Sequence, residues 1–224
     1  MRLKCEWYTD AVKQVMRGTA RIPTSVRPKV AATVKQVDAM IKAAEAAGEM
    51  EVAAVMAVAR QFLLRVPSEC IPLQWEGARS SVHLEPRRAV VTLARRKTSR
   101  TPVTLARECC CASAGQRFCA VHWLHALRRH TSEGNGQVFS VSEHYVARSV
   151  KELAREVGIA DHEYLGTHAF RRGMAQDIID RGGSVATLML AGGWTSAAFT
   201  AYLRQAQLGD VAVARALVDL SDSE

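Results

Sequence analysis

Four side chains near the C-terminal end of the sequence have the types and the spacing needed to act on a phosphodiester. His168 and Arg171 are three residues apart, so on a helix they would share one face and could bind one anion. A Gly-Gly pair then interrupts the chain before Trp194, and Tyr202 follows eight residues later on a segment with helical spacing. The imidazole, guanidinium and indole groups supply N–H donors, and the phenol is a latent nucleophile. Together they favour chemistry on a phosphate group.

The order of these motifs, H-x-x-R, then Gly-Gly-Trp, then a tyrosine on the next helix, resembles the catalytic domain of the tyrosine recombinases, the phage integrase-like enzymes. The Gly-Gly-Trp box looks most like that of eukaryotic transposon-type members. The resemblance implies site-specific DNA recombination or integration, in which Tyr202 attacks a scissile phosphate, forms a 3′-phosphotyrosine and releases a 5′-hydroxyl. It also implies that catalysis requires no metal or nucleotide cofactor.

The first half of the chain contains candidates for the other residues that this resemblance requires. Arg65 and Glu69 are four residues apart at the end of a very apolar segment, and Leu-Leu-Arg-Val-Pro-Ser-Glu is similar to the family's first arginine box. Arg60 is the weaker rival for that arginine. Lys97 is the lysine that the resemblance implies in the second turn of a small sheet, where it would protonate the leaving 5′-oxygen.

The resemblance also implies roles for the remaining side chains. Arg65 and Arg171 would stabilise the negative charge of the pentacoordinate phosphate with planar, permanently charged guanidinium groups. His168 and Trp194 would add single N–H donors. Glu69 would orient a neighbouring donor, His168, and would take no direct part in the reaction.

Seven basic residues occur between Glu85 and Glu108 without any acidic residue among them. Such a run is usually a solvated face, but on a hairpin it would also follow a phosphate backbone well. Because the seven cations have no counter-charge among them, we favour contact with a phosphate backbone. We predict contacts with double-stranded DNA for Arg87, Arg88, Arg95, Arg96, Arg100 and Arg172.

A cysteine-rich segment follows the basic run. Cys109, Cys111, Cys119 and His122 form the pattern C-x-C-x₇-C-x₂-H, which could close a tetrahedral structural zinc site. The spacing differs from the commonest zinc patterns. Buried thiols in a loop before a helix are an equally good interpretation, and the sequence leaves both open.

Composition limits the function further. A net charge of +8 and a pI of about 9.5 favour a polyanionic partner such as nucleic acid. The apolar runs are too short and too often interrupted to cross a membrane, so no membrane association is expected. Crowded cysteines without a secretory signal indicate a reducing, intracellular compartment, with the protein on chromosomal DNA in a nucleus or in a bacterial cytoplasm.

The periodicity predicts a mainly α protein with a small three-stranded antiparallel sheet, the α+β architecture of the tyrosine recombinase catalytic domain. Helical patterns occupy 30–50, 52–64, 123–129, 142–157 and 211–218, and β-type runs occupy 82–84, 89–93 and 102–105. By the same resemblance, residues 1–25 are the tail of an N-terminal helical DNA-clamping domain with its linker, and residues 26–224 are the catalytic domain. The C-terminal helix would mediate self-association on DNA.

Two other classes of function remain open at this point. One is a DNA-binding relic of the same fold that has lost catalysis. The other is a zinc-stabilised interaction module built around Cys109 to His122.

Overall fold

The structure is a computed structural model that describes residues 30–96, 101–111, 118–130, 136–194 and 197–202. The predicted N-terminal tail (1–25), Lys97, Arg100 and the predicted C-terminal helix (211–218) lie outside the described residues. Within them, the α-helices are α1 (Val34–Ala46), α2 (Met50–Gln61), α3 (Ala120–His130), α4 (Glu143–Glu156), α5 (His168–Asp180) and α6 (Val185–Gly192). Three short segments are also helical: a π turn at Val66–Cys70, one 3₁₀ turn at His162–Tyr164 and a longer 3₁₀ segment at Ala197–Tyr202.

Helix α2 is the centre of the fold. All residues from Val52 to Ala59 are fully buried, as expected for a helix that is apolar on every side, and it packs against α1, α3, α4 and α5. Helix α1 buries only one face, which includes Val37 and Ile41, and it begins at a capping box formed by Thr33 and Gln36. The sequence predicted both helices within a few residues.

The sheet consists of β1 (Ser80–Glu85), β2 (Arg88–Leu93) and β3 (Val103–Glu108), all antiparallel in the order β1-β2-β3. In register, Val82 lies opposite Val91, and Val91 lies opposite Leu105. These three residues are buried, and together they form the face of the sheet that packs towards α3. The predicted three-stranded antiparallel sheet and the mainly α fold class are therefore confirmed.

A second, smaller hydrophobic cluster lies beside the main core. It contains Leu63, Ala175, Leu188, Trp194 and Phe199, with Tyr202 packed against it. This cluster joins the end of α2 to α5, α6 and the last 3₁₀ turn. Predicted catalytic residues from both halves of the sequence meet where this cluster adjoins the main core.

No helix in the described part of the chain is long and apolar enough to span a bilayer.

Candidate active site

Glu69 is the centre of the candidate active site. It lies in the π turn after α2 and is only 4% exposed. Its carboxylate accepts hydrogen bonds from Arg65 Nη1 at 2.7 Å, Arg96 Nη2 at 2.7 Å and Arg171 Nη1 at 3.1 Å. Arg96 Nε and the Arg65 backbone N–H add further bonds at 3.0 and 2.9 Å. One buried carboxylate thus gathers three arginines from distant parts of the chain.

These arginines determine the ionisation of Glu69. Burial by itself raises the pKa of the carboxyl, but the hydrogen bonds and charge of Arg96, the Arg65 backbone N–H and the charge of Arg171 outweigh it and lower the pKa to about 2. Burial lowers the pKa of Arg171 to about 10, partly opposed by the charge of Glu69. At neutral pH the Glu69 carboxylate is therefore ionised and the Arg171 guanidinium is protonated.

The end of α2 turns sharply to bring its backbone into the same site. Leu63 has a φ of 53°, an uncommon conformation for a residue with a branched side chain. Its carbonyl group accepts hydrogen bonds from Arg171 Nη1 and, at 3.5 Å, from Arg96 Nη2. The local strain is therefore offset by two charge-assisted hydrogen bonds that also fix the arginines.

The Gly-Gly pair explains how Trp194 reaches this site. Gly193 adopts a left-handed conformation with a φ of 57°. A Cβ atom on Gly192 would lie 2.0 Å from the Trp194 ring, and one on Gly193 would lie 2.9 Å from Arg96 Nη1. Arg96 Nη1 donates to the Gly192 carbonyl. Glycine at both positions therefore leaves room for the Trp194 indole to fold back on α6 and for the Arg96 guanidinium to reach the backbone.

Trp194 and Tyr202 stack on the catalytic candidate Arg171. The Arg171 Cζ atom lies 4.5 Å from the Trp194 ring centroid and 5.1 Å from the Tyr202 ring centroid, and the two rings are 5.5 Å apart. The Tyr202 carbonyl accepts a hydrogen bond from Gln176 Nε2 at 3.1 Å. Trp194 Nε1 and Arg171 Nε are buried and have no hydrogen-bond partner among the described residues.

His168 begins α5, three residues before Arg171, and its side chain is exposed. Partial desolvation and the positive charges of Arg65, Arg172 and Arg171 lower the pKa of His168. The ring is therefore neutral at physiological pH and carries one N–H donor. The structure thus places His168 near the arginine cluster, at the solvent-facing end of the site.

The structure corrects two predictions. Arg96 was expected to contact DNA, but it is only 4% exposed. Its guanidinium donates hydrogen bonds to Glu69 and to the carbonyl groups of Leu63, Gly192 and Gly193. Glu69 was expected to orient His168, whereas it orients arginines. Both differences have one cause, the requirement that a buried carboxylate and nearby buried guanidinium groups be paired.

The rival Arg60 has a structural role. Its Nη2 pairs with Asp177 on α5, and its Nη1 donates to the Ala32 carbonyl at 2.7 Å. Arg107, the last residue of the basic run, also faces inward, with Nε 2.6 Å from the Gln61 carbonyl and Nη2 on the Ala191 carbonyl. Sequence reasoning missed this function of Arg107, although Leu105 two residues earlier on the same face of β3 is buried.

The other predicted DNA contacts keep their positions at or near the surface. Arg87, Arg88 and Arg95 are exposed. Arg88 lies 3.8 Å from Glu85, and Arg87 donates to the Cys109 carbonyl at 3.1 Å. Arg172 is half-buried and donates Nη1 to the Val30 carbonyl at 2.7 Å. DNA binding by these four residues stays a prediction, as do the catalytic roles.

The chain belongs to the phage integrase family, whose family model matches residues 31–207. That range begins just before α1 and includes Arg65, Glu69, His168, Arg171 and Tyr202. The match confirms the resemblance to the tyrosine recombinases. No curated protein sequence was found to match the chain.

Solved structures share the fold at low sequence identity. The XerH site-specific recombinase bound to palindromic difH substrate, in a post-cleavage complex, is 11% identical with a TM-score of 0.57, over 77% of this chain and 48% of that one. The XerA recombinase is 17% identical with a TM-score of 0.58, over 90% and 71%. The Tn1549 transposon integrase with circular intermediate DNA is 12% identical with a TM-score of 0.59, over 94% and 74%. The chain spans about half the length of the XerH chain.

Proposed function

We propose that this chain breaks and rejoins DNA strands at specific sites through a covalent 3′-phosphotyrosine formed on Tyr202. The observation that carries this proposal is the convergence of Arg65 and Arg171 on Glu69, with the Trp194 and Tyr202 rings stacked on Arg171. Two fixed cations, an unpartnered indole N–H and a phenol at one place suit a phosphodiester. A relic without catalysis would still need the arginines on Glu69 for folding, but it would not need a phenol beside an indole N–H that has no partner among the described residues.

In the proposed reaction, the Tyr202 Oη attacks the phosphorus of a DNA strand. The new Oη–P bond forms as the bond between phosphorus and the 5′-oxygen breaks. The phenol gives its proton to a water molecule, and the leaving 5′-oxygen takes one from the ammonium group of Lys97. Arg65, Arg171 and Trp194 stabilise the charge on the non-bridging oxygens, and one lost donor in such a site costs on the order of 100-fold in rate. Attack by another 5′-hydroxyl reverses the step and joins strands without an external energy source.

The substrate we propose is double-stranded DNA. The XerH and Tn1549 structures contain DNA, and this chain has a net charge of +8 with exposed arginines at the β1–β2 turn and after β2. Protomers would associate on the DNA through the C-terminal segment 211–218. Such an enzyme acts inside the cell, where chromosomal DNA is present.

Covalent trapping tests the proposal. A duplex that the full-length chain binds is first selected from a random library, and it is then nicked so that cleavage releases a short 5′-hydroxyl fragment and leaves the adduct trapped. Wild type should give a protein–DNA adduct on a denaturing gel. Tyr202→Phe should give none while binding the same duplex with unchanged affinity, because it removes only the hydroxyl and keeps the ring on Arg171 and Trp194.

The matched control is Tyr164→Phe, since Tyr164 is 48% exposed on the 3₁₀ turn before α5 and should leave adduct formation unchanged. An adduct that persists in Tyr202→Phe would contradict the assignment of the nucleophile. A wild-type chain that binds the nicked duplex and forms no adduct would contradict the proposed activity.

A further inference from the structure

A second cluster of reactive side chains lies apart from the candidate active site, between the sheet and α3. Cys109 directly follows β3, with Cys111 two residues later. Cys119 immediately precedes α3, and His122 is in the first turn of that helix. The residues therefore come from both sides of the connection between β3 and α3, and the recombination chemistry uses none of them.

The donor atoms of this cluster converge on one point. The three Sγ atoms and one imidazole nitrogen of Cys109, Cys111, Cys119 and His122 all lie within 4.8 Å of one another. Cys109 Sγ is 3.3 Å from His122 Nε2, which identifies Nε2 as the nitrogen that faces the thiols. Bond lengths of roughly 2.0–2.3 Å place the donors of a tetrahedral zinc site about 3.5–3.8 Å apart. A contraction of about 1 Å at the widest pair would complete that geometry.

Burial distinguishes these cysteines from their neighbour in the sequence. Cys109 and Cys119 are 8% and 3% exposed, and Cys111 is half-buried, whereas Cys110 points outward and is exposed. Cys109 and Cys119 also belong to the main hydrophobic core and Cys111 packs against it, but packing alone does not require three thiols to gather around one imidazole. The alternation of inward and outward cysteines is the pattern expected of a ligand set.

We propose that Cys109, Cys111, Cys119 and His122 bind one structural zinc ion, which links the end of β3 to the start of α3. Three thiolates and one imidazole favour zinc over the hard cations Ca²⁺ and Mg²⁺, and four protein ligands close the coordination sphere, as in structural rather than catalytic sites. Three thiolates give the loaded site a net charge of −1. Arg87, whose Nη2 lies 3.1 Å from the Cys109 carbonyl, supplies a positive charge beside it.

The consequence is mechanical. The sheet already packs towards α3 through its buried face. The ion would add a direct link between the end of β3 and the start of α3, so that the sheet that carries the exposed Arg87 and Arg88 is held more firmly to the helical body. Zinc should therefore raise the thermal stability of the folded chain, because the unfolded chain has no preformed site.

The test measures zinc in full-length protein purified under reducing conditions without a histidine tag. Wild type should contain about one zinc ion per chain, and replacement by Co²⁺ should give the thiolate charge-transfer and intense visible bands of a tetrahedral site. Cys111→Ser and His122→Gln should bind zinc on the order of 100-fold more weakly, as expected when one of four ligands is lost. Cys110→Ser is the matched control and should behave as wild type.

Three results would overturn the proposal. One is folded wild type, verified by circular dichroism, that contains no zinc and takes none up in competition with a chelator. Another is an equal loss of zinc affinity in Cys110→Ser. The third is a thiol count, made in denaturant on protein purified without reductant, showing that two of these three cysteines are joined as a disulfide. None of these results depends on DNA cleavage, so the zinc site and the proposed recombinase activity are tested separately.

Discussion

Glu69→Gln tests the network that organises the candidate site. Glutamine has nearly the same shape as glutamate but no charge, and its amide NH₂ would face guanidinium donors. Arg65, Arg96 and Arg171 would then lie close together without the carboxylate that now accepts their hydrogen bonds. Because Glu69 is 4% exposed, water cannot take its place without opening the fold.

The pKa of Glu69 gives the size of the effect. A decrease from 4.5 to about 2 corresponds to about 3 kcal/mol of stability at neutral pH. The folded-state pKa lies below the unfolded value, so this stabilisation is fully present above pH 4.5 and is lost as the pH falls towards about 2. The difference in unfolding free energy between wild type and Glu69→Gln should therefore be about 3 kcal/mol at pH 7 and should shrink across that range.

Urea unfolding followed by circular dichroism at a series of pH values measures this difference. Glu152→Gln is the control, since Glu152 forms an exposed pair with Arg148 at 3.9 Å and should change stability by no more than about 0.5 kcal/mol at any pH. A Glu69→Gln effect below about 1 kcal/mol at pH 7, the value of an exposed ion pair, would refute the reasoning. An effect that stays constant on acidification would refute it equally.

Further predictions concern the arginines and the histidine. Arg95→Ala should weaken binding to all DNA sequences alike and reduce the slope of log affinity against log salt by about 0.9, measured by fluorescence anisotropy, and a sequence-selective loss would contradict phosphate contact. Arg96→Ala should instead lower the unfolding free energy by at least about 2 kcal/mol, because charged hydrogen bonds to Glu69 are lost. The pKa of His168, measured by NMR, should lie below 6.5 and should rise in Arg172→Gln, which removes a nearby positive charge. No change in that variant would contradict the effect of the Arg172 charge on the pKa of His168.

Local patterns made most of the fold predictable from the sequence. The apolar spacing of α1 and the uninterrupted apolar run of α2 correspond to burial on one side and on all sides, so the pattern alone gave both helices. The short β-type runs in the sequence predicted the three strands. The final helical segment was predicted in position but forms a 3₁₀ turn, Ala197–Tyr202, where the sequence indicated ordinary helical spacing.

The pairing of charges was less predictable, because it depends on contacts between distant parts of the chain. Arg95 and Arg96 are adjacent in a basic run, yet one is exposed and the other buried. Strand alternation would place Arg95, not Arg96, on the same side as the buried Leu93, but β2 ends at Leu93 and the alternation does not continue. Arg96 reaches Glu69 across 27 positions of sequence, a distance over which no local pattern carries information.

The charges of the Glu69 network explain why a protein would bury so many of them at one site. Arg65, Arg96 and Arg171 contribute three positive charges and Glu69 one negative charge, which leaves an excess of 3 − 1 = +2. A phosphodiester carries one negative charge, and the pentacoordinate state formed by a phenolate carries two, so the excess matches the transition state better than the ground state. The repulsion among the guanidinium groups is already offset by Glu69 during folding. In the proposed reaction, binding of DNA would therefore not have to assemble the cations, and their full effect would be available when charge develops on the phosphate.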